Sequence, residues 1–165
     1  MRAWRIVAIV GAASAFALTA SNCAAAGRAT NQIRVSVSPI ASCSVSATPL
    51  VFFVPLPANS TFDSTALLSL KCPPDTAFVI EIDNGLNAQG NNRRVFNAAA
   101  NAYLTYDVYK DPPKSQVWGK GNLKNVSGNS GLTGLALYTV YGRLTGKSSM
   151  KAGGYRDTLT ITVTF

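Results

Sequence analysis

At 165 residues the chain has the length of one domain. Apolar residues make up 47% and charged residues only 13%, so there is material for a core. The chain contains no histidine and carries a formal charge of +8. The missing histidine excludes Ser-His-Asp and Cys-His nucleophile systems, histidine base catalysis and the commonest zinc-ligand sets.

Residues 1–26 read as a secretory signal peptide. Arg2 and Arg5 form the positive start, an apolar run follows from Ile6 to Leu18, and Ala24-Ala25-Ala26 supplies small residues for cleavage. The run is too short for a membrane anchor, which takes about 20 apolar residues. Cleavage after Ala26 predicts a mature chain of 139 of the 165 residues, with the charge reduced to +6 by loss of the two arginines. Cys23 leaves with the signal. Cys43 and Cys72 remain in an oxidising compartment and are expected to form a structural disulfide. Two cysteines without histidine complete no zinc site, and their spacing excludes a CxxC redox pair.

The mature chain reads as all-β. Ile33 to Val37 alternates strictly, and Val51-Phe52-Phe53-Val54 follows Pro49 and Leu50. Leu67 to Leu70 precedes Cys72, and Phe78 to Ile82 alternates again. Tyr103 to Tyr109, Leu135 to Tyr141 and Asp157 to Phe165 complete the predicted strands. Pro55 to Ser60, Pro73-Pro74-Asp75, Asn84-Gly85, Gly90 to Asn92 and Asp111-Pro112-Pro113 read as turns. Residues 119–134, rich in Gly, Asn and Ser, are expected to form an exposed loop. Short strands at this density point to a sandwich or barrel.

Several features have ordinary readings. Glu81 and Asp83 share one strand face, which reads as a solvated face rather than the carboxylate pair of a glycosidase. Gly85 to Gly90 lacks the lysine of a phosphate loop and reads as a turn. Arg93, Arg94, Lys110, Lys114, Lys120, Lys124, Lys147 and Lys151 read as a basic surface. Export argues against a nucleic-acid partner for that surface. Tyr106, Tyr109, Trp118, Tyr141 and Tyr155 read as core and turn aromatics. No catalytic residue, metal ligand or cofactor site is expected.

The two ends of the mature chain stand out. In the last strand Leu159, Ile161, Val163 and Phe165 share one face, and four threonines share the other. Near the start, Ile33, Val35 and Val37 face one way, and Arg34, Ser36 and Ser38 the other. Such a segment can add to an open sheet edge of another copy, with backbone bonds for affinity and apolar pockets for specificity. Passed from copy to copy, the addition builds an open filament. On pattern alone the first strand of a closed domain is the favoured reading of this segment.

Cys43 to Phe52, beginning Cys-Ser-Val-Ser-Ala-Thr-Pro-Leu, resembles the opening of the spore coat protein U domain, as does Leu68-Ser69-Leu70-Lys71-Cys72. Leu104 to Asp111 resembles the family's L-x-Y-x-[LV]-Y-x-D element. Trp118-Gly119-Lys120-Gly121 resembles its W-G-x-G turn, Thr139 to Leu144 its VYGR strand, and Ala152 to Phe165 its ending. One departure is Phe52 to Pro57, where many members have an F-G-x-Y turn. The family is shared with subunits of archaic (Csu-type) chaperone–usher pili.

The resemblance implies an incomplete immunoglobulin-like β-sandwich completed by donor-strand complementation. It implies a donor segment within residues 27–42, with Ile33, Val35, Val37 and Pro39 filling pockets, and a pilin domain over 43–165. The groove edge is implied at Leu159, Ile161, Val163 and Phe165, and the disulfide at Cys43 and Cys72. The implied partners are neighbouring pilus subunits, a periplasmic chaperone and an outer-membrane usher. The implied location is the cell surface, reached through the periplasm, with adhesion and biofilm formation as the role. Two other readings stay open: a small outer-membrane barrel, and a secreted monomeric sandwich that binds carbohydrate or forms a coat.

Overall fold

The computed structural model describes residues 34–36 and 42–165. The chain falls into two units, Met1–Val37 and Ser38–Phe165. Of the first, only Arg34, Val35 and Ser36 are described; they carry no regular secondary structure. The predicted strand over Ile33 to Val37 otherwise lies outside the described residues.

The second unit is an all-β sandwich, and no helix occurs among the described residues. Its strands are β1 (Ser44–Ala47), β2 (Thr61–Lys71), β3 (Ala77–Ile82), β4 (Arg93–Asn97), β5 (Ala102–Tyr109), β6 (Val126–Asn129), β7 (Leu135–Thr145) and β8 (Ile161–Thr164). One sheet has the order β1-β2-β7-β5-β4 and the other β6-β3-β8. Every strand pairing is antiparallel. These are two open sheets, so the described strands do not close into the barrel held open above.

Period-two alternation explains the layers. On β2, Ala66, Leu68 and Leu70 point inward while Thr65, Leu67 and Ser69 face out. Phe78, Ile80 and Ile82 of β3 and Leu104, Tyr106 and Val108 of β5 meet them from either sheet. Register is pinned by the long β2–β7 ladder, which runs from Thr61 opposite Thr145 to Lys71 opposite Leu135. A slip of one residue would turn the whole inward set to solvent. Trp118 is fully buried; its indole Nε1 donates to the Ile80 carbonyl at 3.2 Å. Cys43 and Cys72 are joined, tying the start of β1 to the end of β2.

Three sequence expectations are corrected. Val51 to Val54 forms no strand. Pro49, Pro55 and Pro57 lack the N–H a ladder needs, and the segment instead turns Leu50, Phe52 and Val54 toward the core. The predicted loop over 119–134 contains β6, which pairs with β3 from Val126 opposite Ile80 to Asn129 opposite Ala77. Arg93 is not a surface base: it is only 2% exposed and belongs to β4, an element the alternation pattern did not reveal.

Arg93 staples the two sheets. Its Nε donates to the Asp83 carbonyl at 2.9 Å, and its Nη2 donates to the carbonyls of Asp83 at 2.7 Å, Trp118 at 2.7 Å and Ile82 at 3.2 Å. Its Nη1 is paired with Asp107. The planar guanidinium presents several donors at once, which suits this position and no lysine would match. We expect Arg93→Met to cost about 3 kcal/mol, because three buried carbonyls and a carboxylate lose their donor; urea unfolding measures it. We expect the Cys43→Ser, Cys72→Ser pair to cost about 3–4 kcal/mol for a loop of this length, read as a lowered urea midpoint under non-reducing conditions.

Candidate functional site

The sandwich is open along one side. β1 ends one sheet and β8 ends the other, and each has a strand partner on one side only among the described residues. Between them lies a groove with a cavity volume of about 910 Å³. An engineered apolar cavity of about 150 Å³ already stays dry and takes up small apolar molecules. A groove this size has room for an extended peptide.

The first wall runs from Ala47 to Val54. Beyond Ala47, the last residue of the β1–β2 ladder, it is held against β2 without a regular ladder. The Thr48 amide donates to the Leu67 carbonyl at 2.9 Å, the Leu67 amide donates to Thr48 Oγ1 at 2.8 Å, and Ser64 Oγ donates to the Val51 carbonyl at 2.6 Å. Gly142 of β7 lets this wall come close. A Cβ there would lie 2.6 Å from Leu50 Cδ2 and 2.8 Å from Phe52 Cζ. Phe52 also meets the Tyr106 ring edge-on at 6.4 Å.

The second wall is the approach to β8, with Thr158, Leu159 and Ile161 lining the groove. Asp83 holds it from behind. Its Oδ1 accepts from the amides of Thr160 at 2.8 Å and Gly85 at 3.0 Å, while its own amide donates to the Thr160 carbonyl at 3.0 Å. Burial works to raise the Asp83 carboxyl, but the amide donors from Thr160 and Gly85 win and hold it below its usual 3.8. The floor is the inner face of the large sheet, with Ala66, Val140, Leu144, Leu104 and Val108, joined by Ile82 of β3. These floor residues are buried, so the open apolar surface of the groove lies on its walls, at half-buried Leu50, Phe52, Val54, Leu159 and Ile161.

One end of the groove is polar. The Tyr106 hydroxyl donates to Asp157 Oδ2 at 2.7 Å, and Asp157 Oδ1 accepts from the amide and Nδ2 of Asn87, both at 3.0 Å. Burial, and then the Asp157 carboxylate, push the Tyr106 phenol far above its usual range, so it stays a donor. A fixed donor–acceptor set beside an apolar trough can place an extended chain. No cluster of three or more His, Cys, Asp or Glu side chains able to hold a metal occurs among the described residues.

Of the residues expected from the sequence, Leu159 and Ile161 line the groove. Val163 packs against the core, and Phe165 stands half-exposed beyond it. Val35 is exposed, while Ile33, Val37 and Pro39 lie outside the described residues. The polar end formed by Tyr106, Asp157 and Asn87 was not expected. Its partners are 51 to 70 residues apart in sequence, and no local pattern marks them.

The Asp83 contact sets a pH dependence. A carboxyl held low in the folded chain contributes stability that is present above its unfolded value and is lost as pH falls through the folded value. Asp63, paired with Arg143 and Lys114 on the outer face and held down to about 2, adds a smaller contribution of the same sign, screened by its exposure. We expect the melting temperature to hold at neutral pH and fall as pH drops below about 4. In Asp83→Ala the fall should be shallower and start from a lower neutral-pH value.

Protein U of Myxococcus xanthus is 35% identical over 61% of this chain and 59% of its own length. A crystal structure of the CsuC–CsuE chaperone–tip adhesion subunit pre-assembly complex, from archaic chaperone–usher Csu pili of Acinetobacter baumannii, contains a chain that aligns with a TM-score of 0.60 and 23% identity. That alignment covers 76% of this chain and 40% of the other and shows a shared fold. This chain thus spans less than two thirds of either protein's length. The model of the Spore Coat Protein U domain matches residues 29–162, and the chain belongs to that family.

Proposed function

We propose that this protein is a non-catalytic structural subunit that polymerises by donor-strand exchange, its open groove taking the segment Asn31 to Ile40 of the next copy. The observation that carries the reading is the apolar groove of about 910 Å³ between two unpaired sheet edges. An exposed apolar edge invites another strand and is normally covered. The sequence supplies a matching strand, with Ile33, Val35, Val37 and Pro39 at alternate positions. Burying three aliphatic side chains stabilises by roughly 5–8 kcal/mol. Each new backbone bond adds about 0.5–1.5 kcal/mol, and the ordering of the strand offsets part of the sum.

The proposed route follows from the same groove. A subunit with an open groove is aggregation-prone, so a periplasmic chaperone lends a strand until an outer-membrane usher exchanges it for the next subunit. The complex that contains the similar fold is a chaperone with a pilus tip adhesion subunit, which supports this assignment. Residues 1–26 direct export, the product is a cell-surface pilus, and adhesion and biofilm formation are its role.

Deleting residues 27–40 after the signal tests the reading. With its chaperone and usher present, we expect the intact chain to give a ladder on unboiled, non-reducing gels that collapses on boiling. The deletion should give only the chaperone-bound subunit. A ladder from the deletion variant, or none from the intact chain, contradicts strand exchange.

A further inference from the structure

We propose that, in the strand-exchanged polymer, the pole of the sandwich around the Cys43–Cys72 disulfide docks against the body of the neighbouring copy, with Leu132 and Leu135 as its contact. This rests on the strand-exchange reading above and adds a second, body-to-body interface to it.

The inference comes from chain length. Cys43 is fixed to its own sandwich by the bond to Cys72. A donor segment ending at Ile40 leaves only Ala41 and Ser42 before that anchor. Three peptide steps span at most about 11 Å. Two packed sheets stand about 10 Å apart. A subunit whose segment fills a neighbour's groove therefore cannot stand clear of that neighbour. Whichever way the segment runs in the groove, the surface around Cys43 is brought against the acceptor.

That surface is built for contact. Leu132 is 85% exposed and Leu135 48%. The Cys72 amide donates to the Gly134 carbonyl at 2.8 Å, and Leu135 stands opposite Lys71 on β2, so Leu135 and the turn that carries Leu132 lie next to Cys72. Their turn is rigidly based. Buried Ser130 donates from Oγ to the Pro73 carbonyl at 2.6 Å and accepts from the Thr76 amide at 2.9 Å, and the Asp75 amide donates to the Gly131 carbonyl at 2.9 Å. A lone exposed leucine needs no explanation. Two together, Leu132 on a preformed turn and Leu135 at the start of β7, at the place chain length forces against another molecule, dock with little ordering cost. The occupant is a second copy of this chain.

The test uses the full chain exported with its chaperone and usher, as wild type and as Leu132→Ser, Leu135→Ser. Both should form the unboiled ladder, because the groove and the donor segment are untouched. The variant's filaments should dissociate on warming about tenfold faster or more, the effect of losing one buried aliphatic contact. They should also look more sharply bent in electron micrographs. Ladders from both proteins with equal dissociation rates and equal stiffness would overturn the contact while leaving strand exchange standing. No ladder from the wild type would overturn strand exchange and this contact with it. A ladder lost only in the variant, with its chaperone complex still formed, would support the contact as a requirement for assembly.

Discussion

The structure turns on apolar surface that its own sandwich leaves open to water. Leu50, Phe52 and Val54 on one wall and Leu159 and Ile161 on the other pack against the core yet stay half-buried along a groove. Hydrophobic burial is the main favourable contribution to folding. A sandwich with one side open has left part of that contribution unrealised. In the proposed polymer, strand addition recovers it between molecules, by the same alternation of side chains that builds a sheet within one.

Such a groove is useful only if it does not collapse. Two fixed contacts brace its walls from outside. Arg93 holds the Ile82–Asp83 end of β3 to β4, β5 and the Trp118 turn, and so spaces the sheets. Asp83 in turn holds Thr160, and with it the wall leading into β8. On the opposite wall, Gly142 leaves room for Leu50 and Phe52 to settle against the large sheet. The disulfide ties the start of β1 to the end of β2, and in the proposed polymer it keeps the linker to the donor segment short.

The long strands were legible because they alternate cleanly and are bounded by Gly, Pro and Asn. Phe78 to Ile82, Tyr103 to Tyr109 and Leu135 to Tyr141 fall on β3, β5 and β7. β4 was not legible, since consecutive arginines read as surface. Only the fold brings backbone carbonyls around one of them. β6 hid in a stretch of Ser, Gly and Asn, and is a strand because β3 offers it an edge. Val51 to Val54 has strand composition because an apolar wall and an apolar strand need the same residues. The flanking prolines were the available signal for telling them apart. The groove's apolar wall at Leu159 and Ile161 was readable from alternation and the family resemblance. The polar end was not, because Tyr106, Asn87 and Asp157 meet only through tertiary structure.

The most direct measurement appends a second copy of residues 31–40 after Phe165, through a flexible Gly/Ser linker, in a chain whose own residues 27–40 are removed. If the groove is an unfilled strand position, this chain folds as a chaperone-independent monomer. Its melting temperature should then exceed that of the same chain carrying serine at positions 33, 35 and 37 of the appended copy by many degrees. Equal melting temperatures for the two chains would mean that the groove does not take this strand.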